Sequence, residues 1–408
     1  MYKKRHLEQT ILKLSKSFPV ILLTGPRQVG KTTLYEFLRK KIGHNYVSLD
    51  EFEIRSLAKN DPGLFLEQYP SPLIIDEIQY APQLLPYIKS KVDAAKNKCS
   101  YWLTGSQYFH LMRGVSESLA GRVAILKLLG ISQAEEINNP QSKKPWTPEL
   151  VNINQKYAPI NLLKLFKKIV RGNFPKFLHK NCPPLENFYG SYVQTYIDRD
   201  LRNFVRAGSL SDFEKFIRLC AGRTAQLLNL SDLARDSGVT TKTAKEWLSL
   251  LEMSGHIYLL KPFYKNISKR LTKIPKLYFL DTGLACYLTG WKTPEATLKG
   301  AMAGPLFETF ILTEIIKSYW NRGQEAPLWY YRTKEKEEVD FLIEKNGKLY
   351  PIETKLSYRI TDGDLRGIRS LEKSKALLGK TIFISATTKA YSLAKNIIAV
   401  PYTIIENF

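Results

Sequence analysis

The run Gly25-Pro26-Arg27-Gln28-Val29-Gly30-Lys31-Thr32 constrains this chain more than any other feature. It fits GxxxxGK(S/T) in full. An apolar run at 20–24 precedes it and reads as a buried strand; a helical stretch at 32–41 follows. Strand, glycine-rich turn and helix in that order form a phosphate cradle. The glycines let backbone N–H groups wrap an oxyanion, and the helix N-terminus adds its positive dipole end. Lys31 is placed for the β- and γ-phosphates of a nucleoside triphosphate, and the Thr32 hydroxyl for Mg²⁺. The whole cradle extends from Gly25 to Thr33.

A second run, Leu73-Ile74-Ile75-Asp76-Glu77, supplies its complement. It is an apolar strand that ends in two carboxylates. Asp76 is placed for the magnesium shell, and Glu77 to orient or deprotonate an attacking water. Further apolar runs at 46–49, 101–104 and 123–128 read as fully buried parallel strands. Helical segments at 63–68, 84–95 and 107–114 alternate with them, which predicts an α/β sheet covered on both faces. If the strand at 101–104 lies between the first and third, Ser106 or Gln107 at its end could touch the γ-phosphate or the water. Ser106 could equally be an ordinary helix cap. Arg122, just before the fifth strand, could sense the γ-phosphate or act as a finger on a neighbouring copy; a plain surface arginine is the alternative.

The formal charge is +23 over 408 residues. It favours polyanionic partners, although a lysine-rich solvated surface would give the same figure. The four cysteines are widely spaced, so neither a disulfide framework nor structural zinc is indicated. The basic start, 1–6, leads into an amphipathic stretch and not an apolar leader. No run approaches the roughly 20 apolar residues that cross a bilayer. A cytoplasmic protein without membrane contact is the default expectation.

Beyond a polar stretch at 138–159 the pattern changes. Residues 231–253 read as two short helices. Ser231 is the expected cap and Gly238 the stop of the first. Ala234, Val239, Ala244 and Leu248 have the spacing of a helix-turn-helix core. In a DNA-binding version, Lys242 and Lys245 on the second helix face the nucleic acid, and Lys265, Lys269, Arg270 and Lys273 on a wing neutralise phosphates. The same module could instead be a protein-binding lid.

Near the C-terminus, Glu308 sits on a helix that reads as amphipathic. Asp340 opens one strand, and Glu353 and Lys355 share a face of the next. Two carboxylates from adjacent strands and a lysine suit a metal-dependent phosphodiesterase. Asp340 and Glu353 would hold Mg²⁺, Glu308 would support them, and Lys355 would stabilise phosphoryl charge. An interdomain salt-bridge cluster is the alternative.

The runs "LLTGPRQVGKTTL", "PLIIDEIQYAP", "WLTGSQ" and "SESLAGRV", continued by "RGNFPKFL", "YFLDTGLACYLTG" and "GPLFETFILTEI", resemble a group of prokaryotic AAA-type ATPases whose C-terminal half is a domain of unknown function. Asp340, Glu353 and Lys355 are similar to the PD-(D/E)xK nuclease signature. The resemblance implies an ASCE/AAA-type α/β sheet of order 5-1-4-3-2, a winged helix and a C-terminal α/β restriction-endonuclease-like fold. The expected divisions are 1–137, 138–210, 211–282 and 283–408. Pattern alone does not separate ATP from GTP; the resemblance favours ATP. The expectation is an ATP- and Mg²⁺-dependent switch that acts on DNA, with a homo-oligomer or a protein partner in view. The alternative is a regulatory NTPase whose C-terminal fold is an inactive scaffold.

Overall fold

The computed structural model describes residues 2–95, 100–105, 114–115, 117–140, 142, 144–196, 210–264 and 273–408. Five strands form the first sheet: β1 (Val20–Thr24), β2 (Asn45–Ser48), β3 (Leu73–Asp76), β4 (Tyr101–Gly105) and β5 (Val123–Lys127). All neighbours are parallel, in the order β2-β3-β4-β1-β5. This is the expected 5-1-4-3-2 order read from the other edge. β1, β3 and β4 are buried along their whole length, because helices cover both faces. The expectation that β5 is fully buried is corrected. As an edge strand it alternates, and Ile125 is exposed. The helix Phe52–Asn60 is not foreshadowed in the pattern; only Ala58 on it is buried, so it carries no clear apolar stripe.

Among the described residues of 210–279, helices pack with a small antiparallel sheet. The helices are Leu210–Gly222, Leu230–Ser237 and Thr241–Met253. The strands β6 (Gln226–Leu227), β7 (Ile257–Leu260) and β8 (Lys276–Phe279) pair in the order β6-β8-β7. Asn229 and not Ser231 caps the helix Leu230–Ser237, accepting from the Asp232 amide at 3.2 Å. Gly238 ends that helix in the left-handed region, as expected. Thr240 caps the next helix through the Thr243 amide at 3.1 Å.

The C-terminal part is built on a six-stranded mixed sheet. Its strands are β9 (Leu328–Arg332), β10 (Glu338–Lys345), β11 (Lys348–Lys355), β12 (Thr381–Ser385), β13 (Tyr391–Ala394) and β14 (Ile397–Pro401), ordered β13-β14-β12-β11-β10-β9. The helix Arg366–Lys373 covers one face, with Ile368 and Leu371 against Val339, Leu342 and Phe383. The pairing of β9 with β10 slips between Val339 and Leu342, and Asp340 sits in that bulge. A bulge re-aims the side chain it carries.

The helix Ala303–Trp320 joins the three parts. It is buried nearly all round, so the amphipathic reading of it is corrected. Several of its buried polar groups meet another part of the chain. Thr309 pairs with Thr224 of the middle segment at 2.8 Å. Glu314 accepts from the Gln133 amide at 2.8 Å, and Lys317 donates to the Ile131 carbonyl at 3.0 Å. The packing forces these polar groups to be satisfied across the junction, which fixes its register. Among the described residues, no helix is long and apolar enough to cross a membrane.

Candidate nucleotide site and C-terminal carboxylate cluster

The phosphate cradle stands at the carboxyl ends of the parallel strands, where open α/β sheets bind ligands. Gly25 has φ +141°, and a Cβ there would lie 2.1 Å from the Leu128 carbonyl oxygen; no other residue fits. Gly30 caps the helix Lys31–Ile42 with φ 94°. Lys31 folds back over the loop, and its Nζ donates to the Gly25 and Pro26 carbonyls at 2.9 and 2.8 Å.

Asp76 is the hub. Thr32 Oγ1 donates to its Oδ2 at 2.9 Å and Tyr46 OH donates to the same oxygen at 3.0 Å. Thr104 at the end of β4 donates to Oδ1. The Glu77 amide donates to Thr104 Oγ1 at 3.0 Å. Thus β4 lies between β1 and β3 as anticipated, and Thr104 is the residue it delivers to Asp76. Ser106, the residue expected there, lies outside the described residues, as do Gln107, Lys265, Lys269 and Arg270. Glu77 has φ 56° and accepts from the Gln79 side chain. The Thr32 hydroxyl and Asp76 carboxylate are hard oxygen donors already in contact, so they fit a magnesium ion.

A cleft of 650 Å³ opens over Arg27, Gln28, Lys31, Thr32 and Glu77. A second cavity of 630 Å³ shares Gly30 and Thr33 with it and is walled by Tyr2, Ile131, Pro175, Leu178 and His179. No pattern along the chain hints at this cavity, because its walls come from segments far apart in the sequence.

Arg122 is not in this site. Its carbonyl accepts from the Val20 amide, at the start of β1, while the cradle follows the end of that strand. Four residues of strand separate them by roughly 13 Å. Its guanidinium is bound to Asp93, with Nε to Oδ1 at 2.6 Å. A role as sensor of its own γ-phosphate is therefore corrected on geometry.

Glu308, Asp340, Glu353 and Lys355 do come together, but not as a metal centre. Lys276 of β8, 3% exposed, enters the group. Its Nζ lies 3.1 Å from Glu308 Oε1 and in contact with Glu338. Tyr278, two residues along the same strand face, donates to Glu308 at 2.5 Å. Asp340 Oδ2 is taken by the amide and hydroxyl of Thr354, both at 2.8 Å. Lys355 is partly exposed and lies 3.5 Å from Asp364. Among the described residues, no three His, Cys, Asp or Glu side chains are arranged to hold a metal ion. Glu308, expected to support an Mg²⁺ site, is instead held by Lys276 and Tyr278, and one Asp340 oxygen is held by Thr354. Sequence reasoning passed over Lys276; the available signal was a lysine two residues from a tyrosine in an apolar strand.

The crowded carboxylates relieve their charge by holding protons. Burial, and then the Asp340 charge, push Glu353 well above the usual carboxylate range. The same two causes push Glu308 up to about 7, against 4.5 for an ordinary glutamate. The native state therefore binds that proton more tightly than the unfolded chain does. This contribution to stability is complete below pH 4.5 and is lost as the pH climbs from there to about 7. Urea denaturation is expected to show stability falling across that window, with a smaller fall in Glu308→Gln. Identical pH profiles for the two proteins would refute this.

Comparison with known proteins gives three adjoining matches. Residues 17–137 match the AAA domain family, 163–295 a domain of unknown function (DUF8612) and 303–405 another (DUF4143). The chain is similar to the uncharacterized protein Rv2008c of Mycobacterium tuberculosis, 28% identical over 339 residues, which cover 83% of this chain and 70% of that one. The uncharacterized protein Mb2031c of Mycobacterium bovis aligns with the same values. Among solved structures, the Walker-type ATPase PABY2304 of Pyrococcus abyssi overlaps with a TM-score of 0.44 at 14% identity, over 71% of this chain and 96% of that one. The sheet order, the cradle and the AAA match define the class of the N-terminal part: an AAA-type P-loop ATPase domain.

Proposed function

We propose that the chain is an ATP-hydrolysing switch whose C-terminal fold is a salt-bridged scaffold and not a nuclease. The observation that carries the first half is the Lys31–Thr32–Asp76–Glu77 constellation. Phosphates would lie in the cleft over the loop amides. The base would enter the adjoining cavity between Tyr2 and the Pro175–Leu178 turn. Lys31 would exchange its two carbonyl partners for phosphate oxygens, which are stronger charge-assisted acceptors. Thr32 and Asp76 would hold Mg²⁺, which supplies charge neutralisation on the phosphates. Glu77, on its turn beside Thr104, would orient the water. The test is phosphate release from ATP by the purified chain with Mg²⁺. Turnover that stops with EDTA is the expected result; no turnover under any nucleotide would sink the reading.

The second half rests on Lys276 within the carboxylates. The scaffold reading is favoured because Glu308 is paired with Lys276 and Asp340 is bonded to Thr354. A DNA-facing role for the middle segment keeps one specific support. Lys242 and Lys245 are both exposed on the first turns of the helix Thr241–Met253. Removing both ammonium groups, in the Lys242→Ala/Lys245→Ala protein, should weaken binding to a short duplex and flatten its salt dependence by about two. Unchanged binding would remove DNA from the account.

A further inference from the structure

We infer that Arg5 is a positioning residue for the phosphate cradle. The inference rests on the ATPase reading but goes beyond it. Arg5 lies in the basic N-terminal stretch, yet it is only 3% exposed. Its guanidinium reaches four acceptors from three directions. Nη1 donates to the Val29 carbonyl at 3.0 Å. Nη2 donates to the Leu129 carbonyl at 2.7 Å and to Gly130 at 3.3 Å. Nε donates to Glu135 Oε1 at 3.1 Å. Val29 is the loop residue just before Gly30, while Leu129 and Gly130 lead out of β5. One side chain therefore ties the distal end of the cradle to the neighbouring strand.

The chemistry follows from the peptide plane. The Val29–Gly30 bond is trans, so its C=O and N–H point in opposite directions. Holding the Val29 oxygen on Arg5 aims the Gly30 N–H away from Arg5, toward the hollow of the loop. That amide belongs to the set that cradles phosphate oxygens. Left unheld, a peptide next to a glycine with φ 94° has other orientations open to it, and some would turn the carbonyl toward the phosphates.

Glu135 keeps the guanidinium in place. Its Oε1 also accepts from the His6 amide at 2.7 Å, and its Oε2 from the Ser132 amide at 2.8 Å. Burial works against its charge, but Arg5, His6 and these amides outweigh it and hold the carboxyl below its usual range. The anchor is thus a fixed ion pair, and only the planar arginine fork spans all four acceptors.

The test compares wild type with Arg5→Lys, which keeps the charge beside Glu135 but cannot reach three carbonyls at once. KM for ATP and Kd for ADP should rise about tenfold, the size of one or two missing hydrogen bonds, with kcat within about twofold. Adenosine, which has no phosphate, should compete as in wild type. Glu135→Gln keeps the Val29 contact but loosens the guanidinium's anchor, so it should lower stability and raise KM less than Arg5→Lys does. Should Arg5→Lys fail to fold, the Arg5→Met/Glu135→Met pair replaces the ion pair by apolar side chains and must still raise KM. Unchanged KM and ADP affinity in a folded variant, with wild type active, would overturn the role of Arg5 alone. A wild type that binds no nucleotide would instead overturn the ATPase reading beneath it.

Discussion

Lys31→Ala is expected to cut ATP turnover on the order of 100- to 1,000-fold, the usual cost of deleting one preorganised charge at a site of developing negative charge. The residue is 6% exposed, and its Nζ donates to the Gly25 and Pro26 carbonyls of its own loop. The fold is expected to stay intact in this variant. Circular dichroism and a urea transition check this alongside phosphate release. The physical point is economy of geometry. The loop carbonyls hold the ammonium at the mouth of the cleft, so no side-chain search precedes its engagement with a phosphate. Nucleotide binding should weaken as well, since the ammonium meets both ground state and transition state. Equal turnover in the two proteins would mean that hydrolysis, if present, does not happen in this cradle.

Lys276→Met should destabilise the middle and C-terminal parts by about 3 kcal/mol, the lower end of the cost of breaking a buried ion pair. The lower end applies because Glu308 and Glu338 retain 15% and 21% side-chain exposure. Methionine keeps the length and apolar stem, so the loss reports the ammonium itself. Removing it leaves Glu308 without its cation, while Glu338 keeps Arg332 and Glu353 keeps Lys355 nearby. Adding Glu308→Gln should recover part of the loss, because the uncompensated charge goes with it; this is a double-mutant cycle. Urea denaturation measures both. A neutral Lys276→Met would show that the lysine is incidental and that the carboxylates are stable without it.

The first sheet was legible because its strands are continuous apolar runs, and only a sheet covered on both faces buries them. The cradle was legible because its chemistry is local, packed into eight consecutive residues from Gly25 to Thr32. Other parts were not, for identifiable reasons. Phe52–Asn60 is a helix on the surface with one buried residue, so no stripe announces it. Arg5 reads as one more charge in a basic terminus, since its four acceptors lie 24 to 130 positions away. Strand alternation places Glu353 and Lys355 correctly relative to each other, yet it cannot see the bulge that turns Asp340 onto Thr354. The signature Asp340, Glu353 and Lys355 was found, but the lysine that changes its meaning comes from β8, more than sixty positions before Asp340. Spacing reveals which residues share a strand. It does not reveal what another segment inserts between them.

The proposed protein is an ATPase in which Lys276 holds Glu308 and Glu338 of the C-terminal carboxylate cluster. The most direct test is one assay series: ATP hydrolysis and plasmid cleavage with Mg²⁺ or Mn²⁺, with and without ATP, for wild type, Lys31→Ala and Asp340→Ala. Hydrolysis is expected in wild type and Asp340→Ala, its loss in Lys31→Ala, and no cleavage by any of the three. Cleavage by wild type that disappears in Asp340→Ala would contradict this reading, and would show that a metal displaces Lys276 from the cluster.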